Sequence, residues 1–428
     1  PIGWSHALRI DATVTLASRG ELPVPHERET GPAAAPRWTT GRKFGVGTPA
    51  DHDADEPVPV WFTLTEGALT EARFPRIDVM NLRTFDFLVA DPETGYAVRT
   101  FDETAHVTAT ETVERTTEPT ADDALSYAQT IRETGDGHGH RWTLRVEYAV
   151  GTDENAILAD VNFQGSREYD VYALVDATVA NVGTDDRAER VDGDGGYRLV
   201  ARNGDGRIPG KLVDDDGDLF EVALALVSGG QFEWASTVTA GSDEADALFG
   251  DGDRGTGAAE ATGNVVLAGL VGSGRAVADT VAVGFAEEAD TAAAVDAADG
   301  ALARGFDETA HAYAETWREW LAGRELPDAV AGDPGLAAQY RFALMTLVAV
   351  EDKRRDGAGI ASPSVPWGET ENATANRGFG YNFVWSRDLY QVFTALIEVG
   401  EVERGADALA YLYNAQQDAD GFLPQNTY

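Results

Sequence analysis

The segment Arg141–Val150, which reads RWTLRVEYAV, indicates the fold of the first part of this chain. Apolar and polar residues alternate along it, and this period of two is typical of a half-buried β-strand. The apolar face is formed by Trp142, Leu144, Val146 and Tyr148, and the polar face by Thr143, Arg145 and Glu147. The segment therefore predicts an antiparallel strand with one face in a hydrophobic core.

Similar segments recur up to about residue 280, and Gly, Asp and Asn clusters typical of turns separate them. Each segment is short and rich in β-branched or aromatic residues, which favours strands over helices. These segments are Arg9–Leu16, Pro59–Leu64, Thr84–Val89, His106–Val113, Ala156–Phe163, Asp170–Ala180, Gly196–Ala201 and Asn264–Leu270. Many short strands with regular turns predict a large antiparallel β-sandwich over residues 1–280.

The composition changes after about residue 285, where alanine-rich segments with helical periodicity begin. Glu287–Ala303 and Asp307–Leu321 predict two helices, and they form a helical linker over residues 281–330. Trp317 and Trp320 are one helical turn apart, so we expect them to pack against a neighbouring domain.

A third part follows the linker. Asp333 and Pro334 are typical of an N-cap and a first helical turn, and two more helices are predicted after residue 386. Three helices cannot easily close a core of their own beside so large a sandwich. Residues 331–428 are therefore expected to be the first part of an all-α domain that is cut off.

Acidic residues dominate the charge of the chain. Asp and Glu number 73 against 33 Lys and Arg, which gives a formal net charge of −40. Such a surface repels phosphate backbones and anionic lipids, which argues against nucleic-acid and membrane partners. No apolar run approaches the roughly 20 residues of a transmembrane helix, and the absence of cysteine excludes disulfides. No apolar signal segment follows Pro1, so any targeting peptide is expected to be removed or not included.

The acidity is spread along the whole chain, and such a lysine-poor composition resembles proteins of salt-loving organisms. Self-repulsion at this charge destabilises a compact state in dilute buffer, whereas the Debye length falls to about 3 Å in molar salt. An ordinary acidic secreted protein is the alternative interpretation. The composition leaves the location open between the cytoplasm and the exterior of a high-salt organism.

Two short clusters contain residues that bind metals in other proteins. Asp214–Asp218, which reads DDDGD, offers the carboxylate oxygens that Ca²⁺ prefers, but it lacks the spacing and the closing Glu of an EF-hand. A structural calcium site and an acidic hairpin turn both remain open there. His138 and His140 lie two residues apart in a glycine-rich turn without a third ligand, which favours a plain hairpin.

The loop over residues 359–388 reads GIASPSVPWGETENATANRGFGYNFVWSRD and is the most unusual stretch of the chain. Long aromatic-rich loops in compact domains are usually functional. Aromatic faces stack on the apolar faces of sugars, and the adjacent Arg387 and Asp388 can fork hydrogen bonds to neighbouring hydroxyls. The alternative is that the aromatic side chains pack between helices and that Arg387 and Asp388 form an ion pair at a helix N-terminus. The aromatic residues are Trp367, Phe379, Tyr381, Phe383 and Trp385.

This loop, with its continuation GYNFVWSRDLYQ and the later segment DADGFLPQNTY, closely resembles glycoside hydrolase family 15. That family contains glucoamylases, glucodextranases and some trehalases. The stretches Trp38–Thr48 and Val60–Asp91 also resemble its prokaryotic members, so the resemblance covers essentially the whole chain. It implies an N-terminal antiparallel β-supersandwich, a helical linker, and the start of an (α/α)6 catalytic barrel.

The resemblance implies a sugar site and places it on particular residues. Tyr381, Trp385, Arg387 and Asp388 match the family pattern Tyr-x-x-x-Trp-x-Arg-Asp, which lines the subsite for the non-reducing terminal glucose. There the aromatic side chains form the wall and the Arg–Asp pair binds hydroxyls. Three further residues match positions near that pocket, and they are Trp367, Gln425 and Asn426.

Two departures from the family pattern affect this interpretation. Ser386 stands where the family commonly has Pro, which is expected to be tolerable because proline there would only rigidify the loop. The second departure concerns the general acid and general base, two carboxyls that inverting glycosidases need. In the family both are glutamates after the Pro-Gln-Asn segment, so they are expected beyond Tyr428 and the catalytic residues of this chain stay unassigned.

The resemblance implies an exo-acting, inverting α-glucoside hydrolase that releases glucose from the non-reducing ends of α-glucan chains. No organic cofactor or catalytic metal is expected, because carboxylates supply the proton transfers. One alternative is a non-catalytic carbohydrate-binding fragment, and others are a trehalase-type or a phosphorolytic relative. The linkage stays open between α-1,4, α-1,6 and α,α-1,1.

Overall fold

The computed structural model describes residues 38–101, 112–135, 137–193, 195–204, 220–364 and 381–427. Two of the predicted strands, Arg9–Leu16 and most of His106–Val113, lie outside the described residues, as do Trp367 and the possible calcium cluster Asp214–Asp218. We call residues 38–287 the strand region and residues 291–427 the helical region.

The strand region forms a single, continuously hydrogen-bonded antiparallel sheet. In the described residues its strands are β1 (Gly45–Gly47), β2 (Trp61–Thr65), β3 (Ala68–Arg73), β4 (Met80–Asp91), β5 (Tyr96–Arg99), β6 (Val113–Pro119), β7 (Tyr127–Glu133), β8 (Trp142–Val150), β9 (Ala156–Ala177), β10 (Asp186–Gly193), β11 (Gly196–Arg202), β12 (Val222–Ser228), β13 (Ala235–Thr239), β14 (Glu260–Gly263) and β15 (Val265–Glu287). A short helix, α1 (Asp243–Asp251), follows β13, and a 3₁₀ turn, Val179–Asn181, follows β9.

Strand β8 has the alternation that its sequence predicts, because its four apolar side chains are buried and the polar ones between them are half-buried. It pairs with β7 on one side and with β9 on the other. Its apolar face belongs to the main core, which also contains side chains of β2, β4 and β12. The antiparallel fold class predicted for the first part of the chain is therefore confirmed.

The long strands β9 and β15 differ from the sequence prediction. Ala156–Phe163 and Asp170–Ala180 are parts of a single strand of 22 residues, and the segment at Asn264 begins a strand of 23. They pair along most of their length, with register shifts near Gly272 and Gly274 that bend the pair. Each half has different further neighbours: β9 pairs with β4 near one end and with β8 near the other. These neighbours supply the backbone partners that extend the strands through polar, turn-like sequence.

The helical region follows directly. Its described helices are α2 (Thr291–Arg304), α3 (Phe306–Ala322), α4 (Asp328–Ala331), α5 (Pro334–Ala349), α6 (Ser386–Glu398) and α7 (Val402–Tyr411), and α7 continues into a π-helical turn, Leu412–Gln416. Two short strands, β16 (Val384–Trp385) and β17 (Asn426–Thr427), pair with each other. None of the helices in the described part of the chain combines the length and the hydrophobicity that a bilayer span requires.

Helix α2 begins later than its sequence suggests, because β15 continues to Glu287 and Asp290 caps the helix through the amides of Ala292 and Ala293. Its alanines pack on β12 and β15 at very short range. A Cβ atom at Gly284 of β15 would lie only 2.1 Å from the carbonyl oxygen of Ala294. The small residues on both sides therefore permit this close contact between helix and sheet.

Helices α3 and α5 attach the helical region to the sheet. Trp317 is fully buried and its indole nitrogen donates a hydrogen bond to the Thr48 carbonyl oxygen at 2.9 Å. Tyr313 donates from its hydroxyl to the Leu125 carbonyl oxygen at 2.9 Å. Asp333 caps α5 as predicted, through the amides of Gly335 and Leu336. The predicted packing of the linker tryptophans is confirmed for both residues, since Trp320 is buried as well.

Apolar side chains of α5, α6 and α7 belong to the same core as the sheet, rather than to a core of their own. Other large apolar side chains of the helical region are exposed. They are Leu336, Tyr390, Ile397, Val402, Leu409, Tyr413, Phe422 and Leu423. The described helices thus use the sheet as the main partner for their buried faces, as expected for so few helices.

Candidate functional site

The aromatic-rich loop begins and ends in a paired stem. The Ala361 amide donates to the Phe383 carbonyl oxygen at 3.0 Å, and the Ser362 amide donates to the Tyr381 carbonyl oxygen at 2.9 Å. We call residues 361–364 and 381–383 the loop stem. The stem fixes the backbone of Tyr381, the first described residue of the predicted sugar site after the part of the loop that contains Trp367.

The short strands β16 and β17 bring two distant motifs together. Trp385 pairs with Asn426, and Val384 pairs with Thr427. The Ser386 amide donates to the Gln425 carbonyl oxygen at 3.3 Å. Val384 is fully buried, whereas Trp385 remains partly exposed, as expected for alternating side chains on a strand. The Pro-Gln-Asn segment and the Trp-Ser-Arg-Asp motif therefore lie side by side.

Arg387 and Asp388 lie in the first turn of α6, where a negative charge is favoured by the helix dipole. Their side chains form an ion pair, with Arg387 Nη2 3.1 Å from Asp388 Oδ2. The Arg387 side chain is 73% exposed and that of Asp388 is 37% exposed. The structure thus contains the helix N-terminal ion pair considered as an alternative, and it also leaves both side chains accessible to a ligand.

Apolar residues beneath this surface hold the helix in place. Leu389, Phe393 and Leu396 follow the 3–4 spacing of one helix face and are buried in the main core. Of the seven predicted sugar-site residues, the structure places Trp385, Arg387, Asp388, Gln425 and Asn426 at one surface. Tyr381 lies in the stem that leads to it, and Trp367 lies outside the described residues.

A buried ionic hub lies where the helical and strand regions meet. Arg404 of α7 is 5% exposed and contacts three carboxylates: Nη1 to Glu351 Oε2 at 2.6 Å, Nε to Glu401 Oε2 at 2.8 Å, and Nη2 to Asp53 Oδ2 at 3.0 Å. Glu401 also pairs with Arg324 at the end of α3. Burial raises the pKa of Glu351 despite the adjacent Arg404 charge.

Lys353 forms a second buried contact between the two regions. Its side chain is inaccessible, and Nζ lies 2.5 Å from Asp51 Oδ1 and 2.9 Å from the Val58 carbonyl oxygen. Burial lowers the pKa of Lys353 to about 8, although Asp51 acts in the opposite direction. Nearby, Asp352 accepts a hydrogen bond from the Ile77 amide at 2.8 Å. The turn at Phe74–Asp78 therefore contacts the helical region.

The sequence does not predict these contacts between the helical and strand regions. Arg404 and Asp53 are 351 residues apart, and Lys353 and Val58 are 295 apart. In a chain with 73 acidic residues, the local sequence does not show which carboxylate will pair with a cation so far away along the chain. The only hint in the sequence is the scarcity of lysine. The chain has three lysines, and the side chains of two of them, Lys43 and Lys353, are almost inaccessible.

His52 is expected to contribute to the loss of folding stability in acid. Its Nε2 lies 3.2 Å from the Glu351 carbonyl oxygen, and burial together with the Lys353 and Arg404 charges lowers the pKa of His52 well below its usual value. As the pH falls from about 7 to about 5, the unfolded chain takes up a proton at this residue more readily than the folded chain does. His52→Gln is therefore expected to reduce the stability lost over that interval, as measured by urea unfolding in molar KCl.

The exposed His311 provides the control for that experiment, because it lies on the surface of α3. His311→Gln should leave the pH dependence of the unfolding midpoint close to that of the unmodified chain. If His52→Gln and His311→Gln give identical profiles, His52 does not contribute to the acid sensitivity.

The described residues give no support for a metal site. Among them, no group of three or more His, Asp or Glu side chains is arranged to hold an ion. His140 is instead buried, stacks on Tyr96 with ring centroids 3.8 Å apart, and lies 3.3 Å from the Tyr169 hydroxyl. The His138–His140 turn thus connects β7 and β8 and packs on neighbouring aromatic rings, in agreement with the hairpin interpretation.

A cavity of about 410 Å³ lies between α3 and α5, away from the aromatic-rich loop. Tyr340 lines it together with three arginines whose charges are compensated: Arg318 lies 3.3 Å from Asp123, Arg341 lies 3.0 Å from Asp122, and Arg324 pairs with Glu401. None of the predicted sugar-site residues borders this cavity. The candidate site therefore remains the surface formed by β16, β17 and the start of α6.

Comparison with known proteins relates this architecture to a class of sugar-cleaving enzymes. Residues 29–322 match the family model described as glucodextranase, domain N, and residues 337–422 match the model described as glycosyl hydrolases family 15. A glucoamylase from Clostridium sp. (strain G0005) is 26% identical over 407 residues, which cover 93% of this chain and 51% of that protein. The two family models occur in the same order as the strand and helical regions.

The crystal structure of a bacterial glucoamylase complexed with acarbose has the same fold, with a TM-score of 0.73 and 23% identity. The match covers 93% of this chain and 53% of that one, so the chain spans about half the length of both relatives. The chain belongs to the family described as glucodextranase, domain N, whose model covers residues 29–322, and its residues 337–422 match glycosyl hydrolases family 15, as in a glucoamylase-like protein. The family resemblance and the fold class inferred from the sequence are thereby confirmed.

Proposed function

We propose that the protein is an exo-acting, inverting α-glucoside hydrolase that releases glucose from the non-reducing ends of α-glucans. We further propose that Tyr381, Trp385, Arg387 and Asp388 bind the terminal glucose, with Trp367, Gln425 and Asn426 nearby. The observation that carries this proposal is the pairing of Trp385 with Asn426, since it sets the Trp-Ser-Arg-Asp motif beside the Pro-Gln-Asn segment. The glucoamylase relative and the acarbose complex of the structural relative support the same substrate class.

The proposed roles follow from the chemistry of the side chains. The partly exposed Trp385 offers an apolar face against which a pyranose ring can stack. Asp388 accepts and Arg387 donates hydrogen bonds, so the pair suits two neighbouring hydroxyls of one sugar. Inversion also requires a general acid and a general base whose carboxyls are roughly 6.5–9.5 Å apart. We assign neither role to a residue of this chain.

Binding of acarbose tests the proposed site. Trp385→Ala is expected to weaken acarbose binding about tenfold, since about 1.4 kcal/mol corresponds to a factor of ten. Asp388→Asn is expected to weaken it by about tenfold to a hundredfold, because hydrogen bonds to charged groups contribute about 1.5–3 kcal/mol. Isothermal titration calorimetry of the chain in molar KCl measures both effects.

Trp234→Ala is the matched control for that experiment. Trp234 is also a partly exposed tryptophan, but it lies in the strand region between β12 and β13. Its removal should leave acarbose affinity unchanged. Equal affinities in Trp385→Ala and the unmodified chain would contradict the proposed site.

A second candidate function is carbohydrate binding without hydrolysis by this chain. It is favoured by the accessible Arg387–Asp388 pair in a chain where no carboxylate is assigned as acid or base. Incubation with maltotriose, isomaltotriose or trehalose, followed by NMR of the released sugar, separates the candidates. β-Glucose from one substrate supports inverting hydrolysis and identifies the linkage, glucose 1-phosphate formed only with added phosphate supports the phosphorolytic alternative, and binding without turnover supports the second candidate.

A further inference from the structure

A cluster of buried charges lies in the strand region at the end of β3. We call Thr39, Lys43, Glu71 and Arg73 the Glu71 cluster. Glu71 is fully buried, and its Oε1 accepts hydrogen bonds from the Thr39 amide at 2.9 Å, from the Thr39 hydroxyl at 2.6 Å and from Lys43 Nζ at 3.0 Å. Its Oε2 lies 3.2 Å from Arg73 Nη2. Every oxygen of the carboxylate is thus occupied by a partner within the cluster.

The backbone at Glu71 is unusual for a strand residue. Its φ is 51°, in the left-handed region that non-glycine residues rarely adopt. The register of β3 shifts against β2 between Thr70 and Arg73, a stretch that contains Glu71, which marks a β-bulge, and it shifts against β4 just after it, between Ala72 and Arg73. Although burial raises the pKa of Glu71, the Lys43 and Arg73 charges outweigh this effect and the net pKa is lowered. The bulge therefore directs an ionised carboxylate to Lys43 and Arg73.

Arg73 connects this cluster to the helical region. Its Nη1 donates to the Ile77 carbonyl oxygen at 2.8 Å, and its Nη2 donates to the Pro363 carbonyl oxygen at 2.9 Å. A second hydrogen bond runs beside it, from the Ser364 hydroxyl to the Gly41 carbonyl oxygen at 3.0 Å. Pro363 and Ser364 belong to the loop stem, in the first part of the aromatic-rich loop. The strand region therefore fixes the backbone of the loop at the stem.

We propose that the Glu71 cluster is a positioning device for the sugar-site loop, with Arg73 as the positioning residue that fixes the Pro363 backbone. The role in sugar binding rests on the function proposed above, whereas the role in fixing the stem does not. A buried ion pair is a weak source of stability compared with apolar packing, but a planar guanidinium donates in several fixed directions at once. Arg73 uses these directions to join Glu71, the Ile77 turn and Pro363.

Hydrogen exchange of the loop stem tests the positioning role without any ligand. Arg73→Met is expected to accelerate exchange of the Ala361 and Ser362 amides at least about tenfold, because the Pro363 carbonyl loses its anchor. The amides that join β8 to β9 should keep their protection, which shows that the sheet remains folded. Arg73→Lys retains a positive charge near Glu71 and should restore only part of the stem protection.

Arg83 provides the matched control. It is also an almost inaccessible arginine of the strand region, and it lies 3.5 Å from Asp176 rather than at the loop stem. Arg83→Met should therefore leave the exchange of the stem amides unchanged relative to the sheet. If Arg83→Met accelerates the stem as much as Arg73→Met does, or if Arg73→Met leaves the stem unchanged, the positioning role is wrong.

Acarbose affinity then connects the stem to the site. Arg73→Met is expected to weaken binding about tenfold, Arg73→Lys to recover part of it, and Arg83→Met to bind like the unmodified chain. Failure of the unmodified chain to bind acarbose would contradict the proposed function, whereas the exchange result would still decide the positioning role. If Arg73→Met does not fold, Arg73→Lys provides the test, because it keeps a cation beside Glu71 but lacks the planar guanidinium that reaches Pro363. Unchanged stem exchange in Arg73→Lys would then overturn the proposal.

Discussion

In dilute buffer we expect the purified chain to lose its folded structure, and in molar KCl we expect it to regain that structure. The formal net charge of −40 is spread over the surface, as at Asp55 and Glu56, which are both exposed. At about 0.1 M salt the Debye length is about 10 Å, so neighbouring carboxylates repel one another. At about 1 M it is about 3 Å, and the repulsion that opposes compaction is largely removed.

Far-UV circular dichroism across a KCl series measures this transition, with the urea midpoint as a second readout. An uncharged osmolyte such as sucrose provides the control, since it favours compact states without screening charge. We expect KCl to raise the midpoint strongly in the range from about 0.1 to 1 M, and sucrose to have a smaller effect. Equal stability at low and high salt would contradict the salt-adapted interpretation of the composition.

The sequence predicts the local features of the fold, but it predicts less of the pairing between segments that are distant in sequence. The alternation in Arg141–Val150 and the capping pair Asp333–Pro334 depend on neighbouring residues, and the structure confirms both. The sequence predicts two strands where the structure has the single 22-residue strand β9, because Gln164–Glu168 is typical of a turn unless the pairing with β15 is known. Strand length in a large sheet depends on neighbours that are distant in sequence, and a local pattern contains no information about them.

The candidate site likewise combines a local motif, which the sequence predicts, with contacts between distant residues, which it does not. The Trp-Ser-Arg-Asp motif is local, and its family resemblance predicts a sugar site at Trp385, whose backbone pairs with Asn426 in the structure. The support beneath it is not local. Arg73 and Pro363 are 290 residues apart, and the bulge that turns Glu71 inward leaves no mark in a strand otherwise typical in composition. The sequence alone therefore does not distinguish Arg73 and Glu71 from the many charged residues of the surface.

Removal of the Arg404 side chain is expected to be among the most damaging single substitutions in this chain. Arg404→Met should lower the free energy of unfolding by about 3–5 kcal/mol, because it leaves the buried Glu351 carboxylate without its cation. Arg354→Met is the matched control, since Arg354 pairs with Glu287 at a surface position where both side chains are 43% exposed. Its loss should cost only about 0–1 kcal/mol.

The cause of the Arg404 effect can be separated from lost packing. Glu351→Gln replaces the carboxylate by a neutral amide, so the double variant Glu351→Gln/Arg404→Met should be more stable than Arg404→Met alone. The pKa of Glu351 is already raised by burial, and loss of Arg404 raises it further. The folded variant then binds a proton more tightly than the unfolded chain, so acid restores part of its stability.

Urea unfolding in molar KCl at several pH values measures all four proteins. The loss in Arg404→Met should be largest at neutral pH and should shrink as the pH falls toward the raised pKa of Glu351, whereas the double variant should show little of this dependence. A loss in Arg404→Met no larger than in Arg354→Met would mean that water reaches Glu351 in the folded chain. A large loss without pH dependence would instead assign the effect to packing of the Arg404 side chain between α7 and the strand region.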